Sequence, residues 1–158
     1  MPLNRKWFLF LLILLLAAGC TPAAPDRQAE VAERGAEVMP FDLERTTHIF
    51  EKRADGGLQQ IVSDDKDSEQ IQLIRVHLAE EAGRFSEGDF HDPSMIHGDD
   101  MAGLHELVMG AGAISIVYSD LDEGGQILFT TEDAALVAAL HAWFDQQLAD
   151  HGAHAQGT

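Results

Sequence analysis

Metal-ligating side chains are concentrated in one short stretch, GDFHDPSMIHGDDM at residues 88–101. It contains two histidines, two methionines and four aspartates. Asp92 and Pro93 predict a turn, because proline fixes φ and biases the residue before it away from helix. The residues after this turn are expected to be extended, with Met95 and His97 at alternate positions. Imidazole and thioether groups suit copper, whereas carboxylates suit harder cations, so the stretch predicts a metal site that includes His97.

An acidic surface loop is the alternative interpretation of the same stretch. Asp99 or Asp100 is well placed to cap a helix that follows, and Met95 and Ile96 could fill the core. A calcium-binding EF-hand is not predicted, because the alternation of oxygen ligands and the closing glutamate are absent.

A second candidate group lies on a helix predicted from about Ser68 to Phe85. At about 100° per residue, the apolar residues of this helix share one arc, and Glu81 falls within it. The apolar residues of the arc are Ile71, Ile74, Leu78, Ala82 and Phe85. His77 lies one turn before Glu81, at i and i+4. Because a buried carboxylate needs a partner, three alternatives stay open: Glu81 reaches solvent, pairs with His77, or helps to bind a metal or substrate. The zinc motif HExxH is absent.

Three further histidines complete the candidate set. His48 lies on a predicted strand, where its side chain shares a face with Phe50. His141 lies at the edge of the apolar stripe of the last predicted helix, where a hydrogen bond to the backbone is the alternative role. His151 lies at the end of that helix, where interaction with the helix dipole is the alternative. The predicted metal ligands are His48, His77, Glu81, His97, His141 and His151. Copper or zinc is the expected ion. Haem is a less favoured alternative, since a histidine can serve as its axial ligand.

Catalytic motifs are missing from the chain. The residues GAGAIS at 110–115 lack the serine placement of a GxSxG nucleophile elbow, so no catalytic residue is predicted. A hydrolase that uses Glu81 and a histidine as base and acid ranks behind the binding functions.

The chain is strongly acidic, with a formal net charge of −17. Without residues 1–19, which hold two of the 10 basic residues and no acidic residue, 8 basic residues face 27 acidic ones and the charge is −19. Such a charge repels phosphate backbones, which excludes nucleic acid as a partner, and it favours cations. Solubility of an exported protein is the alternative explanation. Cys20 is the only cysteine, so its lipidation would leave no thiol for disulfides, metal binding or catalysis.

The first 20 residues predict export. A positively charged start precedes 12 uncharged apolar residues, Trp7 to Ala18, which is shorter than the roughly 20 residues of a membrane-spanning helix. The residues LAAGC that end at Cys20 resemble a lipoprotein signal, although Ala17 stands where leucine is usual. We therefore expect acylation of Cys20 and a lipid anchor facing the periplasm, and Thr21 resembles the outer-membrane sorting class. Ordinary export with cleavage at Gly19 or near Ala24 would instead leave a soluble periplasmic protein.

The predicted domain organisation is a signal peptide at 1–19, a lipidated cysteine and tether at 20–40, and one α+β domain at 41–158. The expected order is ββααββα, with a four-stranded antiparallel sheet and helices packed on one face. Turns at ADGG and DLDEGG predict two hairpins. A short helix is expected from about Asp100 to Met109 between the two hairpins.

Helix ends are predicted from capping residues. Asp67 is expected to cap the first long helix, and Thr131 the last one, which should run through Asp150. Gly152 is expected to stop the last helix and to leave a short flexible tail. A weakly amphipathic helix is expected from Ala29 to Val38 within the tether.

A resemblance covers nearly all of the chain after residue 38. The matching stretches are MPFDLERTTHIF, GGLQQIV, QIQLIRVHL, GDFHDPSMIHG, MAGLHEL and LVAALHAWFDQQLADHG. They resemble a family of small exported bacterial proteins of unknown mechanism, often labelled aspartate carbamoyltransferase. True carbamoyltransferases carry STRTR and HPxxQ motifs, which this chain lacks, so the labelled activity is not expected. The resemblance implies a shared fold and a shared ligand, and it points to His48, His77, His97, His141 and His151. Ala102 departs from the family, where proline is expected.

Taken together, these patterns predict a cell-envelope lipoprotein that binds a transition-metal ion through histidine, methionine and carboxylate groups. A non-catalytic interaction module that contacts another envelope protein through its acidic surface is the alternative.

Overall fold

The computed structural model describes residues 24–158, with side chains from residue 27 onward. Its five α-helices are α1 (Ala24–Val38), α2 (Ser68–Ser86), α3 (His91–His97), α4 (Leu104–Gly110) and α5 (Ala134–His151). Its five strands are β1 (Thr46–Arg53), β2 (Gly56–Ser63), β3 (Ser115–Leu121), β4 (Gly124–Thr130) and β5 (Ala155–Gly157). The predicted signal peptide and Cys20 lie outside the described residues. Among the described helices, none has both the length and the apolar character that a membrane span requires.

The strands form one sheet in the order β3-β4-β2-β1-β5. The α+β class is confirmed, but the prediction of four antiparallel strands is wrong, because β5 adds a fifth strand parallel to β1. The residues predicted as a flexible tail form this strand, with His48 opposite Ala155. Gly152 adopts φ +55° after α5 and turns the chain back toward the sheet. Three residues are too few to show a strand pattern in the sequence.

Helix caps fix where the long helices begin. The Asp67 carboxylate accepts hydrogen bonds from the backbone N–H groups of Glu69 and Gln70, which confirms the predicted cap of α2. Asp133, not Thr131, caps α5 by accepting from the N–H of Ala135. The prediction of Thr131 is wrong because its hydroxyl instead donates to the carbonyl of Ala113.

The stretch after Asp92 is helical, so the predicted extended segment is wrong. Pro93 lies in the first turn of α3, where a backbone N–H has no intrahelical partner and proline is tolerated. As a result Met95 points to solvent with 53% exposure, whereas Ile96 and His97 are buried. Gly98 ends α3 with φ +94°.

Helices α2 and α5 pack on the same face of the sheet, which carries Phe50 of β1 and Phe129 of β4. Trp143 of α5 makes edge contacts with Phe85 and Phe129, and Phe144 packs on Phe50. His48 points to this face as well, since it alternates in step with Phe50 along β1. Strand β1 therefore places the imidazole of His48 in the apolar core.

Helix α1 belongs to the folded structure. It begins at Ala24, five residues before the predicted helix, and packs against α3 and α5. Val31 is only 1% exposed, which shows that α1 buries an apolar side chain.

Gly103 occupies a position where a side chain should destabilise the fold. It has φ +76°, and a Cβ at this position would lie 2.0 Å from the carbonyl oxygen of Ala139. Gly103→Ala is expected to lower the free energy of unfolding by about 3 kcal/mol through backbone strain and displacement of α5. Gly83→Ala is the matched control, because this exposed position in α2 has open space. The control should stabilise the helix by roughly 0.5–1 kcal/mol. Urea unfolding measures both, and equal midpoints for the two variants would contradict the close contact.

Candidate functional site

A small cavity lies between the sheet and helices α2, α3 and α5. Its volume is about 30 Å³, enough for a water molecule or a metal ion. Five of the six predicted ligands line it, namely His48, His77, Glu81, His97 and His151. They come from β1, α2, α3 and α5, so the cavity forms only when the whole domain assembles.

The cavity also gathers unsatisfied polar atoms. Among the described side chains, the buried nitrogens and oxygens without a hydrogen-bond partner all belong to four residues that line it. These atoms are His48 Nδ1 and Nε2, Gln59 Oε1, Glu81 Oε1 and Trp143 Nε1. Glu81 Oε1 lies 2.5 Å from Arg84 Nη2, but outside hydrogen-bond geometry. Buried polar groups are nearly always paired, so their concentration here marks a place for a polar occupant.

Three imidazoles adjoin one another on one side of the cavity. The rings of His48 and His151 are stacked, with centroids 4.6 Å apart and planes 8° apart. The ring of His97 meets His151 edge-on at 5.1 Å. Burial lowers the pKa of His48 to about 4 and also lowers the pKa values of His97 and His151. All three are therefore neutral at neutral pH, which is the form that binds metals.

The orientation of His97 is set by a buried carboxylate. His97 Nδ1–H donates to Asp150 Oδ2 at 2.8 Å, which leaves Nε2 as the unprotonated nitrogen. Asp150 also accepts from Arg27 Nε at 3.2 Å, Arg27 Nη2 at 2.9 Å and Gln146 Nε2 at 2.9 Å. Burial opposes ionisation of Asp150, but these hydrogen bonds outweigh it and lower its pKa. A carboxylate that fixes the ring of a histidine is the usual support of a metal ligand.

His151 is also held by a hydrogen bond. Its Nε2–H donates to Gln147 Oε1 at 3.1 Å, one turn earlier on α5, so Nδ1 keeps its lone pair. His48 has no side-chain partner among the described residues, and a backbone contact with His154 opposes the fall in its pKa but does not meet hydrogen-bond geometry. Side-chain hydrogen bonds thus orient the rings of His97 and His151, whereas the ring of His48 has no such bond in the part of the chain that the structure describes.

His77, Glu81 and Asp92 each offer one ligand atom, and these atoms lie within 4.8 Å of one another. His77 and Glu81 line the cavity, whereas Asp92 lies beside it. Glu81 is 4% exposed, so it does not reach solvent. Arg84 Nη2 contacts Asp92 Oδ2 at 2.9 Å and Glu81 Oε1 at 2.5 Å. Burial, reinforced by the charge of Asp92, raises the pKa of Glu81 to about 8 against the opposing charge of Arg84. Glu81 therefore carries a proton at neutral pH, while burial lowers the pKa of His77.

His141 is the one predicted ligand that the structure keeps apart. Its Nε2 lies 3.0 Å from the carbonyl of Arg53 and 2.9 Å from that of Gly56. It does not line the cavity, and this contact matches the alternative role at the backbone. Met95, whose thioether was expected beside His97, is exposed on α3. Met39 lines the cavity in its place.

Several important residues were not predicted from the sequence. Asp150 and Arg27 support His97, and Asp92 joins the group around Glu81. The Asp-His pair at 150 and 151 offered a signal, because a carboxylate next to a candidate ligand at a helix end can turn inward. Arg27 offered none, since it lies in a segment expected to be a tether.

The arrangement combines neutral imidazole nitrogens, a thioether and carboxyl groups around a space of ionic size. This is the donor set of zinc and copper sites. Comparisons with protein-family models, with curated proteins and with solved structures find no match to this chain.

Proposed function

We propose that the protein is a cell-envelope lipoprotein that binds a transition-metal ion, zinc or copper, in the cavity between the sheet and α2, α3 and α5. The observation that carries this proposal is that unpaired buried polar atoms gather at one cavity lined by four histidines. An unpaired buried polar group costs roughly 1–3 kcal/mol. A bound ion in this cavity would give the unpaired nitrogen of His48 and the unpaired oxygens of Gln59 and Glu81 a positively charged partner.

His77, Glu81 and Asp92 are the first choice of ligands, because each offers a ligand atom within 4.8 Å of those of the other two. The neutral imidazoles of His48, His97 and His151 line the same cavity and are further candidate ligands, with Nε2 of His97 and Nδ1 of His151 unprotonated. Glu81 adds a negative charge once the ion displaces its proton, as metal binding releases protons from its ligands. Met39 adds a soft ligand that favours copper over harder cations. Haem is not proposed, because a cavity of about 30 Å³ cannot hold a porphyrin.

The location of this site in the cell envelope rests on the N-terminal sequence. The signal-like residues before Cys20 support export and a lipid anchor, and the acidic surface supports attraction of cations. Capture of a metal ion for buffering or delivery is the role that agrees with both features.

Calorimetric titration of the metal-stripped purified protein with Zn²⁺, Cu²⁺ and Ni²⁺ tests the proposal. We expect one ion per chain with a dissociation constant below about 10 μM. His97→Ala should weaken binding at least tenfold, or about 1.4 kcal/mol, because it removes an oriented ligand. His105→Ala is the matched control, since this histidine is exposed on α4 and should leave the affinity unchanged. Absence of stoichiometric binding to the wild-type protein would overturn the proposal.

A further inference from the structure

Helix α1 reaches the candidate metal site through one side chain. Arg27 donates from Nε and Nη2 to the two carboxylate oxygens of Asp150, and Nη2 also donates to the backbone carbonyl of His97 at 2.6 Å. The residue thus holds both the histidine and the carboxylate that orients it. Asp150 is 2% exposed and the Arg27 side chain is 37% exposed, so this is a half-buried anchor for α1.

The geometry points to α1 as part of the metal site. Arg27 and Asp150 are positioning residues that couple metal binding to the docking of α1. This inference rests on the proposed function. Asp150 fixes the tautomer of His97, and Arg27 fixes Asp150. Loss of the guanidinium would leave Asp150 with fewer donors and His97 with a less defined orientation.

The coupling must act in both directions. If docking of α1 strengthens metal binding, then metal binding stabilises the docked helix by the same free energy. Binding of the metal ion would therefore increase the fraction of protein in which α1 is docked.

Zinc titration of the variants Arg27→Gln and Asp150→Asn tests the inference. We expect the affinity for zinc to fall roughly 10- to 100-fold in both, the range seen when the supports of metal ligands are lost. Arg34→Gln is the matched control, because Arg34 lies on the same helix and its ion pair among the described residues is with the exposed Glu30. It should bind zinc as the wild-type protein does.

Two measurements separate positioning from a general loss of structure. Hydrogen exchange of the α1 amides should slow when zinc is added to the wild-type and Arg34→Gln proteins, and this zinc effect should be lost in Arg27→Gln. Nitrogen NMR should show the Nδ1–H tautomer of His97 in the wild-type protein and a changed tautomer population in Asp150→Asn. Wild-type affinity in Arg27→Gln and Asp150→Asn would overturn the inference and leave the proposed function intact. No zinc binding by the wild-type protein would overturn both.

Discussion

His48→Leu is expected to weaken zinc binding strongly and, at the same time, to stabilise the metal-free protein. His48 is 2% exposed and neither of its ring nitrogens has a hydrogen-bond partner among the described residues. Leucine has a similar volume and needs no partner, so the variant should gain about 1–2 kcal/mol in the free energy of unfolding. Loss of one ligand, and of the space for the ion, should weaken zinc binding at least about 100-fold, or roughly 2.7 kcal/mol.

Urea unfolding in the presence of a chelator and calorimetric zinc titration measure the two effects. The matched control is His141→Leu, because the Nε2 of His141 contacts two backbone carbonyls. This control should lose about 1–2 kcal/mol of stability, since it leaves buried carbonyl groups without a donor, and should keep its zinc affinity. If His48→Leu destabilises the protein as much as His141→Leu does, then His48 has a structural role and not a ligand role.

The periodicity of α2 is enough to place His77 and Glu81 in the interior, because a helical arc is a local property of the sequence. The alternation in β1 likewise places His48 beside Phe50. Assembly then brings both elements to one cavity, which the sequence predicts only as a hypothesis that distant imidazoles meet. The hairpins β1–β2 and β3–β4 are predictable for the same local reason, whereas the pairing of β2 with β4 that joins them is a long-range contact.

The parts that sequence reasoning missed depend on long-range contacts or on ambiguous local signals. Arg27 and Asp150 are 123 residues apart, and no periodicity links them. Pro93 reads as a turn signal, but it is equally compatible with the first turn of a helix, and the difference moves Met95 from the site to the surface. Strand β5 is too short to be read as a strand, and it pairs only because α5 ends opposite the edge of β1.

Glu81→Gln is expected to remove a pH-dependent loss of stability from the metal-free protein. Burial, then the charge of Asp92, raises the pKa of Glu81 from 4.5 to about 8. Between these values the native state keeps the proton that the unfolded state has lost, so wild-type stability falls as pH rises. Glutamine has nearly the same shape and is neutral at every pH. The advantage of the variant should therefore grow from pH 5 to pH 8 by on the order of 3 kcal/mol, at about 1.36 kcal/mol for each pKa unit.

Urea unfolding of both proteins at several pH values measures this difference in the free energy of unfolding. The buried histidines make stability rise with pH, but both proteins contain them, so their effect cancels in the difference. Glu80→Gln is the matched control for the loss of one carboxyl group, since Glu80 is exposed on the same helix. Zinc should reverse the order of stability, because an ion stabilises the wild-type protein through an ionised Glu81 that the variant lacks. A difference that stays constant from pH 5 to pH 8 would show that Glu81 is ionised throughout and forms an ordinary ion pair with Arg84. In that case the carboxyl would hold the arginine in place, and the imidazoles alone would be left to bind the ion.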